Sequence, residues 1–174
     1  MIPADLLLEI LRLKSLPRAG WLRVNIASPE SVAGHAWGLA WLVLLLCPEE
    51  LDRERAVAIA IVHDIPEVLV GDITPHDGIS SSEKARREAA AAAQLLGQSP
   101  RLHALWQEYV DHTTPESKLV HQLDKLEMAL QAIRYHKDTG TDTAEFIRSA
   151  MAKLSSEQQV LLRSVLPARL ADPE

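Results

Sequence analysis

An all-α bundle is the fold this sequence predicts. Apolar residues recur three and four positions apart in one segment after another, with Ser, Thr or Asp near the segment starts and Gly or Pro near their ends. No stretch alternates with strand period, and no internal repeat is present. A chain of 174 residues suits one compact domain, here with a core over about 11–140 and C-terminal helices over about 143–170.

Leu6, Leu7, Ile10, Leu11 and Leu13 lie at helical spacing and predict a first helix over about 3–13, before Pro17 and Gly20 interrupt the pattern. A loop carrying Arg18 and Trp21 follows. Ser28-Pro29-Glu30-Ser31 offers capping oxygens to a second helix with His35, Trp37, Leu39, Leu42 and Leu45, which Pro48 ends. Its apolar run over 36–47 is shorter than the roughly 20 residues that cross a bilayer, so it reads as a largely buried core helix. Asp52 caps a third helix through Ala56, Ile59, Ala60 and His63. Pro66 turns its predecessor away from helical angles and so sets His63-Asp64 near a helix end.

Between Gly71 and Ser82, the residues Asp72, Pro75, Asp77, Gly78 and three serines have no period and read as a loop that lines or covers something. An alanine-rich fourth helix over about 82–96 stops at Gly97, and a fifth covers about 100–110. Thr114 caps a long sixth helix with Pro115 in its first turn; Leu119, Leu123, Leu126, Met128 and Leu130 form its core face, and Gly140 ends it. Two amphipathic helices, about 143–154 and 156–170, complete the bundle.

The chain is 47% hydrophobic and 24% charged, a globular composition. Its 18 Lys+Arg against 24 Asp+Glu give a formal charge of -6, which argues against a nucleic-acid polymer as partner but allows a small phosphorylated substrate. Cys47 is the single cysteine, so neither a disulfide framework nor a cysteine zinc knuckle is available. With no export signal and no membrane-spanning run, a cytoplasmic location is expected.

His35, His63, Asp64 and Asp124, spread over three predicted helices, offer the mixed nitrogen and oxygen donors that suit a divalent cation with positions left for water. Neighbours on a regular helix point about 100° apart, so His63 and Asp64 converge on one ion more easily where the helix ends. The negative end of the helix dipole favours a cation there as well. An adjacent His-Asp pair is weak evidence alone, because a histidine in an apolar helix is usually a satisfied core residue. The phrase His63-Asp64-Ile65-Pro66-Glu67-Val68-Leu69-Val70-Gly71-Asp72 strengthens it, since three carboxylates close together are costly unless exposed or metal-bound.

At these residues the chain resembles the HD-domain phosphohydrolases, in particular their 5′-deoxynucleotidase branch. The likeness runs through Leu13-Lys14, Arg18-Ala19-Gly20-Trp21, Glu30-Ser31-Val32-Ala33 before His35, and His63-Asp64 to Gly71-Asp72. It continues in Asp72-Ile73-Thr74-Pro75, Glu83-Lys84, Leu105-Trp106-Gln107-Glu108-Tyr109 and Leu123-Asp124-Lys125-Leu126-Glu127-Met128. The resemblance implies an HD-domain helical bundle, usually homodimeric, that removes the 5′-phosphate of deoxyribonucleoside monophosphates. It also implies one divalent metal ion (Mn, Co, Mg, Zn or Fe) held by His35, His63, Asp64 and Asp124.

By the same carry-over, Glu67 and Asp72 are the catalytic carboxylates. Arg18 meets the substrate phosphate, with the charged planar fork that phosphate oxygens favour. Trp21 either packs on the nucleoside or closes the core. Gly34 stands where an acidic residue commonly precedes the first metal histidine, which predicts an altered environment behind His35. Glu108-Tyr109-Val110 stands where the family often reads Glu-Tyr-Glu, which bears on substrate choice. Two other readings of the site are hydrolysis of a different nucleotide phosphoester and a metal-stabilised nucleotide-binding module without catalysis.

Overall fold

The computed structural model describes residues 3–167 and Leu170. In chain order the helices are α1 (Ala4–Leu11), α2 (Ala19–Arg23), α3 (Val32–Leu46), α4 (Arg53–Val62), α5 (Glu67–Val70), α6 (Ser81–Leu96), α7 (Pro100–Asp111), α8 (Pro115–Thr139), α9 (Ala144–Met151) and α10 (Ser156–Val165). Among the described residues the only β-type pairing is an isolated antiparallel bridge between Pro17 and Ser31. No helix of this region is long and apolar enough to cross a membrane.

Local chemistry explains most of the boundaries. Side-chain oxygens of Ser31, Asp52, Ser80 and Thr114 accept from the backbone N–H three residues on, opening α3, α4, α6 and α8. Each such cap stabilises its helix by about 1 kcal/mol. Thr114 and Ser117 cap reciprocally, and Gly140 closes α8 with φ 73°. The first predicted helix is split, with Arg12–Lys14 winding into a 3-10 turn after α1. The region of Arg18 and Trp21, expected as loop, contains α2. The last helix stops at Val165 rather than near 170, because Leu166 precedes Pro167 and is extended; residues 168–169 of that predicted helix lie outside the described residues.

α3, α4 and α8 pack together as the centre of the bundle, with α9 on α8 and α7 on α4 and α6. Leu39, Val43, Ile59, Ala60, Leu123, Leu126 and Ala129 belong to one continuous buried cluster. The expectation that α3 is largely buried is corrected. Val32, His35, Leu39 and Val43 face inward, whereas Trp37, Trp41 and Leu45 are 72%, 50% and 59% exposed. A helix apolar all round carries no sequence signal of which face is covered.

Candidate active site

The three central helices each deliver a polar group to one point. His35 projects inward from the first turns of α3, His63 caps the C-terminus of α4, and Asp124 lies midway along α8. His35 Nε2 lies 3.2 Å from Asp124 Oδ1 and 3.8 Å from Asp64 Oδ2, and His63 Nε2 lies 3.0 Å from Asp64 Oδ2. Because α4 ends at Val62, the chain turns through residues 63–66. His63 and Asp64 thereby face the same point.

Each imidazole is oriented through its other nitrogen. His63 Nδ1 meets the carbonyl of Ala60 at 2.8 Å, and His35 Nδ1 meets Glu127 Oε2 at 2.5 Å. With Nδ1–H donating, Nε2 presents a lone pair, which is how histidines are set as metal ligands. Both Nε2 atoms are buried and lack a hydrogen-bond partner, as does Glu67 Oε2. Nitrogen and carboxylate lone pairs facing one another in a buried site require a proton or a cation between them. The His35 pKa registers that demand: burial and the Arg18 charge push it down, yet Asp124 and Glu127 carry it up to about 10.

The carboxylates divide into two kinds. Burial opposes ionisation of Asp64 and Asp124, but His63, Arg18 and His35 around the first, and Lys125 and His35 around the second, hold both below the usual carboxylate range. Glu67 is driven the other way, first by burial and then by the charges of Asp64 and Asp72. Gly71, with φ 80°, turns the chain after α5, and the next residue, Asp72, accepts from the Ala19 N–H at 2.7 Å. Only glycine enters that left-handed conformation without strain.

Arg18 at the N-cap of α2 reaches Asp64 at 3.4 Å and Asp72 at 3.5 Å. Burial would lower its pKa, but the charges of Asp64 and Asp72 more than compensate and keep it charged. Arg18, His63, Asp64, Glu67, Asp72 and Asp124 all line one cavity of about 400 Å³, and His35 lies directly behind it. Trp21 is part of the cavity wall but only 2% exposed; its Nε1 donates to Glu30, and its ring packs on Tyr135 and Phe146.

Several supporting residues escaped the sequence reading. Glu127 lies three residues after Asp124, one helical turn along the same face, so the spacing of its motif held a usable signal. Gly38 is the reason Glu127 fits: a Cβ there would come within 2.6 Å of Glu127 Oε1. Tyr109 donates to Asp124 Oδ2 at 3.1 Å, and Lys125 Nζ lies 2.9 Å from the same oxygen. Tyr109 stands in a motif of the family resemblance, but its role depends on a partner in another helix. His35 Nδ1 is held from α8, while a Cβ at Gly34 would meet Ser31 and Glu30.

Comparison with known proteins supplies a family. A sequence model described as HD domain matches residues 10–162. The bovine (Bos taurus) protein 5′-deoxynucleotidase HDDC2 is 39% identical over 173 residues, covering 93% of this chain and 84% of its own length. The crystal structure of PH0347 protein from Pyrococcus horikoshii superposes with a TM-score of 0.78 at 31% identity, covering 97% of this chain and 99% of that one. The crystal structure of a predicted metal-dependent phosphohydrolase from Magnetospirillum magnetotacticum gives a TM-score of 0.72 at 27% identity, covering 95% of this chain and 94% of that one.

Proposed function

This chain belongs to the HD-domain family, and from that premise we propose that it hydrolyses the 5′-phosphate of deoxyribonucleoside monophosphates with the help of one divalent cation. The observation that carries the reading is the pair of buried, unpartnered imidazole nitrogens facing Asp64 and Asp124, at the floor of a cavity that also holds Arg18. His35, His63, Asp64 and Asp124 fit a cation as two neutral nitrogens and two ionised carboxylates, a donor set open to Mn, Co, Mg, Zn or Fe. A cation bound there supplies Lewis acidity toward water and the phosphoryl oxygens.

The chain's own groups do the rest. Arg18, fixed by Asp64 and Asp72, meets the phosphate and offsets the charge that grows on its oxygens. Glu67 and Asp72 place the attacking water and exchange protons with it or with the leaving group. A P–O bond forms to the water oxygen, the bond to O5′ breaks, and the water proton ends on the leaving 5′-oxygen. Asp72 is suited to positioning because the Ala19 N–H holds it. Glu67, whose pKa burial and the charges of Asp64 and Asp72 raise, sits beside Asp72 in the cavity where it can exchange a proton with water or the leaving group. Trp21, almost fully buried, supports the nucleoside side of the cavity from behind the Phe146 ring.

The direct test is phosphate release from a panel of deoxynucleoside monophosphates with Mn²⁺, Co²⁺ or Mg²⁺. Metal-dependent turnover is expected, and no turnover with any metal overturns the reading. We place the enzyme in the cytoplasm as a homodimer. The outward stripe of Trp37, Trp41, Leu44 and Leu45 supports the second copy, because exposed apolar surface of that extent marks interfaces. Sedimentation of the free protein reads the mass directly.

A further inference from the structure

We propose that Phe146, on α9, fixes the preference for a nucleoside monophosphate over a bare sugar phosphate by forming the wall on which the base rests; this deepens the nucleotidase reading and depends on it. The cavity is chemically two-sided. Arg18 and the acidic cluster occupy the floor, while Trp21, Met128 and Phe146 provide an apolar side. With a phosphate at Arg18, the remainder of the substrate extends along the wall that suits a flat apolar ring.

Phe146 is the only phenylalanine of the chain, and it is half-buried where it lines the cavity. Its ring is braced from behind by Trp21, with centroids 4.3 Å apart, and Trp21 is itself packed on Tyr135 at 5.2 Å. Gly20 permits that brace: a Cβ there would lie 3.2 Å from Phe146 Cε1. Of the cavity's other rings, Trp106 is 4% exposed and Tyr109 is committed through its hydroxyl to Asp124, on the charged side of the cavity. Lys84 and Glu88 also line the cavity, 3.6 Å apart and paired, with Lys84 Nζ also on the Ile73 carbonyl. An aromatic ring held rigidly beside a charged floor is the arrangement that stacks a base, and the cavity volume is that of a small-molecule site.

The experiment compares deoxyadenosine 5′-monophosphate with 2-deoxyribose 5-phosphate, as substrate or competitive inhibitor, on the Mn²⁺-loaded wild type, Phe146→Ala and Phe146→Leu. Phe146→Ala should lower kcat/KM for the nucleotide about tenfold or more, chiefly through KM, and change the sugar phosphate less than about threefold. Phe146→Leu, which retains apolar volume and packing on Trp21, should show the same selective loss with an unchanged melting curve. Equal losses on both compounds, as displacement of Trp21 and Arg18 would produce, or no loss on either, overturns the assignment alone. A wild type inert toward the nucleotide overturns the nucleotidase reading and this proposal with it.

Discussion

At the floor of the cavity the polar side chains are held from more than one side, whereas at its mouth they are held loosely or only by one another. His35 is fixed between Glu127 and Asp124, Asp124 between Tyr109 and Lys125, and Asp72 between Ala19 and Arg18. At the mouth, Arg23 and Glu145 pair across α2 and α9 with about a third of each side chain exposed, and Lys153 and Ser149 are open to water. The difference separates two tasks. A reacting centre must keep its geometry before substrate arrives, which requires supports behind each group, whereas an entrance only has to admit and release.

The support behind His35 is where that contrast breaks most visibly. Glu127→Gln keeps the shape of the side chain but removes the charge on the far side of the imidazole. Metal affinity should fall about 10- to 100-fold, the usual cost of losing such a partner. Gly38→Ala should act in the same direction by a different route, because its Cβ would displace the Glu127 carboxylate. The helix itself gains from alanine by up to about 1 kcal/mol, which offsets part of the cost of moving a buried carboxylate, so the melting temperature should fall proportionately less than metal affinity. Calorimetric Mn²⁺ titration with a parallel thermal melt separates the two effects. Unchanged affinity in both variants would mean that His35 needs no support from α8.

That same region shows what a sequence can and cannot disclose. Long helices with Ser, Asp or Thr caps were legible because capping is local, and α3, α4, α6 and α8 start within one or two residues of their predicted positions. α2 and α5, of five and four residues, are too short for any hydrophobic period to register, yet they carry or adjoin Arg18 and Glu67. His35, His63, Asp64 and Asp124 could be singled out as residue types, while their convergence depends on how α3, α4 and α8 cross. Gly38 was invisible for a similar reason. Its significance is a distance to a side chain 89 positions away, between residues 38 and 127.

Glu67 tests the floor through pH. Burial, and then the charges of Asp64 and Asp72, raise its pKa above the ordinary 4.5, so the folded metal-free protein retains a proton that the unfolded chain releases. Its stabilising contribution is therefore complete below about 4.5 and is lost as pH rises through the folded value. Asp64 and Asp124 have lowered values and act with the opposite sign: their contribution is present above 3.8 and is lost on acidification. Glu67→Gln should flatten only the alkaline side. Its metal-free melting temperature near pH 8 should exceed that of the wild type by about 2–4 °C per kcal/mol gained, although turnover is lost. Melting curves that run parallel from pH 5 to 8 would show that Glu67 is already ionised in the folded protein.

The mouth should respond least. Arg23 and Glu145 join α2 to α9, and the Arg23 guanidinium lies 5.7 Å from the Phe146 ring centroid. Because both side chains are about a third exposed, water and salt screen the pair, and it stabilises by only about 0–1 kcal/mol. Trp21 and Phe146 remain packed without it, so the junction between the helices has an apolar component that does not depend on charge. Arg23→Ala should therefore shift the melting temperature by no more than about 2–4 °C. It should also leave kcat within about threefold, and salt should erase what difference remains. A kcat loss as large as that of a floor variant would mean that α9 holds Arg18 in register through this ion pair, and the mouth would then belong to the same rigid unit as the floor.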